Sequence, residues 1–308
     1  MILQKFAMNW WKSLKGKVKL KEPLKDYTTF KIGGRAEYFV EPKDLDDLKL
    51  LLNLVKRYLT CSGRQGKIPI LVIGAGSNIL ISDKGLDGIV LRLNSPYFKR
   101  LTVKDNRLKV GAGCLLNKVI LKAKKEGLSG MEELVGIPGS IGGALAMNAG
   151  TRDKNIADSV ENVTVMDYNG KIKTLDKKDI RFGYRSCGLS RYIILNARIR
   201  LVKKNKKEIQ NRINDYLKYR KSQQDLSKAS AGCVFKNPRQ GSAGKLIDLC
   251  GLKGKRIGGA TVSKRHANFI VNLGQAKAQD VIKLMTLVKK EVKNRFKINL
   301  EPEIKIWQ

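Results

Sequence analysis

The sequence predicts an α+β fold in two domains. Three observations carry this. The dipeptides Asp105-Asn106 and Asn169-Gly170 each sit between short β-like runs, which marks hairpins. Helical apolar spacing marks amphipathic helices over 45–59 and 115–126. The two kinds of element do not alternate regularly, as they would around a parallel sheet. A length of 308 residues suits two domains, and 42% hydrophobic residues supply a sizeable core.

After the first helix, an apolar run at 68–73 reads as a strand. A glycine-rich turn follows, then further strands at 79–81 and 89–93. Runs 101–103 and 108–110 form the first hairpin. Helix 115–126 ends at Gly127, a typical C-terminal stop. Runs 160–168 and 171–175 form the second hairpin, and 192–201 reads as a strand. Composition then shifts. A charged stretch at 203–207 leads into a polar amphipathic helix at 206–223, which sets a boundary between domains 1–203 (core 28–203) and 204–308. Beyond it come helix 243–250, strand 268–273, helix 278–296 and a terminal strand 303–307.

Lys and Arg number 62 against 27 Asp and Glu, a formal net charge of +35. Lysines are spread along the whole chain and no nucleic-acid motif accompanies them. The charge is therefore read as a lysine-biased surface, with no nucleic acid expected as partner. A positive field still attracts anionic ligands. No apolar run is long enough for an integral membrane segment, and the start lacks the apolar core of a signal peptide. Cys61, Cys114, Cys187, Cys233 and Cys250 are odd in number and widely spaced, which argues against a disulfide framework and for a cytoplasmic chain. With one histidine, His266, no metal site is expected.

Two glycine clusters are the candidate ligand segments. Gly74-Ala75-Gly76-Ser77-Asn78 exposes backbone N–H groups in a tight turn. It lacks the third glycine and following helix of a Rossmann fingerprint. The second cluster is denser: Gly136-Ile137-Pro138-Gly139-Ser140-Ile141-Gly142-Gly143-Ala144, then Met147-Asn148-Ala149-Gly150. Such a run permits close backbone approach to a ligand, with N–H groups aimed at oxygens. Ser140 and Asn148 can add side-chain hydrogen bonds.

Several segments, in order, resemble the MurB family of UDP-N-acetylenolpyruvoylglucosamine reductases. Thr29-Phe30-Lys31-Ile32-Gly33-Gly34-Arg35-Ala36 is similar to the family's opening motif. The two glycine clusters resemble its FAD-binding segments, in a flavin domain similar to that of vanillyl-alcohol oxidase (the PCMH type). Phe182-Gly183-Tyr184-Arg185-Ser186, Gly232-Cys233-Val234-Phe235-Lys236-Asn237-Pro238, His266-Ala267-Asn268-Phe269-Ile270 and Leu300-Glu301-Pro302-Glu303 continue the pattern.

The resemblance implies an FAD-binding domain over 1–203 and a substrate-binding domain over 204–308, whose terminal strand returns to the active site. It implies FAD as cofactor and NADPH as hydride donor. The substrate is UDP-N-acetylglucosamine enolpyruvate, with hydride passing from flavin N5 to C3. Cofactor contacts fall on residues 74–78, 136–140, 142–144 and 148–150. Arg185 matches the active-site arginine, suited to gripping a carboxylate through two hydrogen bonds. Cys233 stands where many members carry serine as the proton donor to C2, and a thiol is the more acidic group. Glu303 matches the third active-site residue. Tyr184, Lys236, Asn237 and Lys305 are expected at the substrate. Lys305 replaces a common arginine, and Cys187 fills the serine position of Y-R-x-S. A monomer is expected. Rival readings are another FAD-linked oxidase or dehydrogenase on the same flavin fold, and a nucleic-acid-binding protein with an unrelated glycine-rich core.

Overall fold

The computed structural model describes residues 9–61, 68–151, 154–224 and 227–308. The start of the chain, read above as no signal peptide, lies partly outside them. The helices are α1 (Leu45–Cys61), α2 (Leu116–Lys125), α3 (Ile141–Ala146), α4 (Lys206–Gln223), α5 (Ala243–Leu249) and α6 (Ala278–Phe296). The strands are β1 (Lys17–Pro23), β2 (Arg35–Glu41), β3 (Ile70–Val72), β4 (Ile79–Ile81), β5 (Leu86–Leu91), β6 (Leu101–Lys104), β7 (Arg107–Gly111), β8 (Leu128–Ser129), β9 (Val160–Met166), β10 (Ile172–Asp176), β11 (Phe182–Gly183), β12 (Ser186–Cys187), β13 (Ile193–Arg200), β14 (Val202–Lys203), β15 (Ala229–Cys233), β16 (Arg256–Ile257), β17 (Ala260–Val262), β18 (Phe269–Asn272) and β19 (Lys305–Trp307). The mixture is α+β, as the sequence predicts.

The chain packs into two compact units, each discontinuous in sequence. One comprises Met1–Lys21, Glu37–Gly74 and Asp87–Leu217. The other comprises Glu22–Ala36, Ala75–Leu86 and Lys218–Gln308. This differs from the contiguous division at residue 203. The second unit recruits two early segments because its apolar core requires them: Phe30, Ile32 and Leu80 are buried among Phe235, Ile247, Val281 and Leu284.

The first unit holds a five-stranded antiparallel sheet in the order β10-β9-β13-β7-β6 and a four-stranded sheet in the order β1-β2-β5-β3. β3 and β5 run parallel, Ile70 opposite Ile89. In the first hairpin Lys104 pairs with Arg107, so Asp105-Asn106 is a two-residue loop, with Asp105 at φ +54°. The second hairpin closes differently. Met166 pairs with Ile172, and Asp167 Oδ1 accepts the N–H groups of both Asn169 and Lys171, which widens the turn to a longer loop. The start of α1 is anchored by Asp47. This 3%-exposed carboxylate accepts N–H groups from Lys15 at 2.9 Å, Gly16 at 2.8 Å and Lys43 at 2.9 Å. Nearby, the buried Trp10 packs on Trp11 and Tyr38, with ring centroids 6.0 and 5.2 Å away.

The second unit holds an antiparallel sheet in the order β15-β18-β17-β16, with α6 packed against β16 and β17. β19 adds in parallel to β4, Trp307 opposite Ile81. Two carboxylates satisfy backbone donors around the start of α6. Asp83 accepts from Ala278 at 2.8 Å and Gln279 at 3.2 Å, while Asp280 accepts from Lys277 at 3.0 Å and Gly259 at 3.1 Å.

Candidate functional site

Within the second unit, Cys233 is the last residue of β15, at a bulge against β18 where Gly232 takes φ +77°. The chain then runs beside the C-terminal segment. Glu303 donates its backbone N–H to the Val234 carbonyl at 2.7 Å, Phe235 bridges Pro302, and Lys236 donates its backbone N–H to the Glu301 carbonyl at 2.9 Å. Cys233 and Glu303, 70 positions apart in sequence, are thus brought onto neighbouring paired backbones, and both are half-buried.

Two further contacts fix this corner. Asn268, buried at 3% exposure, accepts the Phe235 N–H on Oδ1 at 2.9 Å and donates Nδ2 to the Phe235 carbonyl at 2.8 Å. An amide so placed substitutes for a missing strand neighbour. Thr29, from the opening motif, donates its hydroxyl to the Ser230 carbonyl at 2.7 Å and its N–H to the Gly76 carbonyl at 3.1 Å. It therefore ties the cysteine strand to the first glycine cluster.

That cluster is shaped by close backbone packing. Gly76 has φ +65°, and a Cβ there would stand 1.9 Å from the Tyr27 carbonyl oxygen. Asn78 donates Nδ2 to the Glu303 carbonyl at 3.2 Å, and its own carbonyl accepts the Lys305 N–H at 2.9 Å. No acceptor among the described residues takes the N–H groups of Ala75 and Gly76. They remain available to an oxygen-rich ligand. Ser77 sits between them and Asn78.

Within the first unit, the second cluster is not the bare loop that its glycines suggest. Residues 141–146 form the short helix α3, capped by Ser140, whose Oγ accepts the Gly143 N–H at 3.3 Å. Gly74 lies against the same hydroxyl. The N–H groups of Gly139 and Ser140 have no acceptor among the described residues. A Cβ at Gly143 would meet only Ser140 Oγ, at 3.5 Å, so the surface above it is open to close approach. Gly136 donates to Asn117 Oδ1 at 3.0 Å, and Ile137 donates to the Leu134 carbonyl at 3.2 Å. Pro138 is exposed and precedes the open donors. Gly142 and Ala144 are engaged through N–H bonds to Ala112 and Ser140, while Ala149 and Gly150 pair with Ile156 and Asn155. Open N–H donors and a side-chain-free surface fit the phosphate-bearing part of a dinucleotide.

Arg185 occupies the tip of the β11–β12 hairpin, beside Tyr184. Its φ of +53° is a left-handed conformation that non-glycine residues rarely adopt. Its guanidinium carbon lies 5.2 Å from the centre of the Tyr184 ring, a cation–π distance. Tyr184 is 51% exposed. Cys187 follows on β12, where burial pushes its thiol above the ordinary cysteine value.

Two of the three substrate candidates of the second unit, Lys236 and Asn237, are already engaged. Lys236 Nζ reaches Glu301 Oε2 at 3.2 Å, in a pair whose carboxylate is 74% exposed. Asn237 Oδ1 accepts the Ala243 N–H at the start of α5 at 3.0 Å. Lys305 is exposed on β19. His266 Nδ1 accepts the Asn268 N–H at 3.2 Å, and its ring packs 4.7 Å from Phe269. Burial, with Lys253 nearby, holds His266 below its usual pKa and therefore neutral. Sequence reasoning assigned no role to Thr29 or Asn268. Their signal was their presence within the quoted motifs. Among the described residues no cluster of His, Cys, Asp and Glu could hold a metal ion, and no helix is long and apolar enough to cross a membrane.

The family model for the UDP-N-acetylenolpyruvoylglucosamine reductase C-terminal domain matches residues 224–307, and a model for an FAD-binding domain matches 36–176. UDP-N-acetylenolpyruvoylglucosamine reductase 2 of Symbiobacterium thermophilum is 40% identical over 294 residues, 95% of this chain and 92% of that protein. The Caldicellulosiruptor bescii reductase is 44% identical over 287 residues, covering 92% and 88%. The crystal structure of the reductase (MurB) from Thermus caldophilus superposes with a TM-score of 0.79 at 38% identity, covering 96% of this chain and all of that one. With near-complete coverage at this identity, the chain belongs to the UDP-N-acetylenolpyruvoylglucosamine reductase family, FAD-binding oxidoreductases of peptidoglycan synthesis.

Proposed function

We propose that this chain uses NADPH to reduce UDP-N-acetylglucosamine enolpyruvate to UDP-N-acetylmuramate, with Arg185, Cys233 and Glu303 acting at the enolpyruvyl group. The observation that carries the reading is the Glu303 N–H bond to the Val234 carbonyl, which sets the carboxylate residue beside the thiol residue. FAD, when bound, supplies hydride chemistry between NADPH and C3 of the substrate.

Residues 74–78 hold the cofactor together with residues 136–140, 142–144 and 149–150, through the open N–H groups of Ala75, Gly76, Gly139 and Ser140 and the side-chain-free surface at Gly143. Arg185 binds the enolpyruvyl carboxylate in a two-pronged grip and stabilises charge that develops toward it. Cys233 delivers a proton to C2. A thiol is far more acidic than an aliphatic hydroxyl, which suits it to proton donation. Glu303 polarises this corner and assists proton delivery to Cys233. Tyr184 lines the substrate site. Lys236 exchanges its exposed partner Glu301 for a diphosphate or sugar oxygen, Asn237 contacts the same groups, and Lys305 adds positive charge. The chain acts as a cytoplasmic monomer and needs no nucleic-acid partner.

Anaerobic stopped-flow absorbance tests the reading. NADPH should bleach the flavin, and the enolpyruvyl nucleotide should restore its colour. Flavin that stays reduced after substrate addition would overturn the proposal.

A further inference from the structure

Asn148 was expected at the cofactor, but its side chain faces another task. It is 6% exposed, and both ends of its amide are engaged within the first unit. Nδ2 donates to the Gly183 carbonyl at 3.0 Å, and Oδ1 accepts the Ala157 N–H at 3.3 Å. Asn148 takes φ +42°, a conformation asparagine tolerates better than most residues. It follows directly on α3 and Met147, so its position is set by the second glycine cluster.

Gly183 is the last residue before the Tyr184-Arg185 turn. The hairpin beneath that turn has two rungs, Phe182 opposite Cys187 and Gly183 opposite Ser186. Ribbons of this size do not hold themselves in water. The turn also carries the disfavoured φ of Arg185, which persists only where the surroundings enforce it. The Asn148 amide grips the hairpin at its final carbonyl, one peptide before the turn.

We propose that Asn148 is the positioning residue of Arg185: its amide, fixed by the Ala157 N–H, clamps the Gly183 carbonyl and so sets where the guanidinium meets the substrate carboxylate. The inference rests on reading Arg185 as the carboxylate binder. Asn148 then acts on substrate reduction through the arginine and not on the flavin.

Asn148→Asp tests this. It keeps an acceptor for the Ala157 N–H but turns an oxygen toward the Gly183 carbonyl. Asn148→Ala removes both bonds and serves as a second variant. Flavin content and the rate of flavin reduction by NADPH should stay within about twofold of wild type. Reoxidation by the enolpyruvyl nucleotide should slow by about tenfold or more, as misplaced catalytic groups do. Combining Asn148→Asp with Arg185→Ala should be no slower than Arg185→Ala alone. Wild-type reoxidation in both Asn148 variants, equal loss in both half-reactions, or additive losses in the double variant would each overturn the proposal. If Arg185→Ala itself reoxidises normally, the reading of Arg185 fails and takes the inference with it. If Arg185→Ala is slow while both Asn148 variants are normal, only the inference fails.

Discussion

Glu303 donates its backbone N–H to the carbonyl of Val234 at 2.7 Å, so the carboxylate-bearing residue is anchored one position along from Cys233. The bond joins two stretches far apart in sequence and does not depend on either side chain. Substitutions at Cys233 and Glu303 should therefore report on chemistry more than on folding.

Cys233→Ala should leave flavin reduction by NADPH intact and slow substrate reduction by about 10²–10⁴-fold, the usual worth of a proton donor. Cys233→Ser should retain substantial activity. Stopped-flow measurement of the two half-reactions checks this, and equal loss in both for the alanine variant would count against the assignment.

Asp47 should be a stability residue with no part in catalysis. Asp47→Ala strands the N–H groups of Lys15, Gly16 and Lys43. Leaving such donors unmet should cost about 2–3 kcal/mol, read as a lower urea midpoint with an unchanged denaturant slope. An unaltered midpoint would show that water replaces the carboxylate.

Gly76→Ala should damage the first glycine cluster. The new methyl would meet the Tyr27 carbonyl and the backbone is left-handed, so the loop must move. A loss of about 2 kcal/mol or more is expected, accompanied by weaker flavin retention on gel filtration. Wild-type stability and flavin content together would contradict the geometry.

Acid should weaken the fold partly through His266. Burial depresses its folded pKa below the unfolded value. The unfolded chain therefore binds the proton first, and stability is lost as pH falls from the unfolded value toward the folded one. Protonation also removes the Nδ1 acceptor for the Asn268 N–H. His266→Gln should flatten the dependence of the unfolding midpoint on pH below about 6.5, and a slope equal to wild type would exclude this contribution.

Much of the fold was legible in the sequence, and the exceptions have physical causes. α4 and α6 span the predicted residues because their apolar spacing continues to clear ends. β1 gave no signal: it is an edge strand, exposed along most of its length and rich in lysine, so no alternation marks it. α3 was hidden because glycine disfavours helix, and its Ser140 cap and contacts with Ala112 and Cys114 come from tertiary structure. At the site, the motifs flagged Cys233 and Glu303 but could not show their adjacency, which depends on backbone bonds between 234–236 and 301–303, segments far apart in sequence. The side chain of Asn148 read as a ligand group because sequence does not reveal which carbonyl will lie beside an amide.

The parallel pairing of β19 with β4 bears on how the chain is made. Ile79 to Ile81 leave the ribosome long before Lys305 to Trp307 exist. Until then that short apolar strand has no native neighbour on this edge, and Leu80, with Phe30 and Ile32, waits for a core whose remaining members, from Ala231 onward, are still untranslated. Folding of the second unit is thus deferred until residues 305–307 have been made, and pairing over so long a stretch of chain is intrinsically slow.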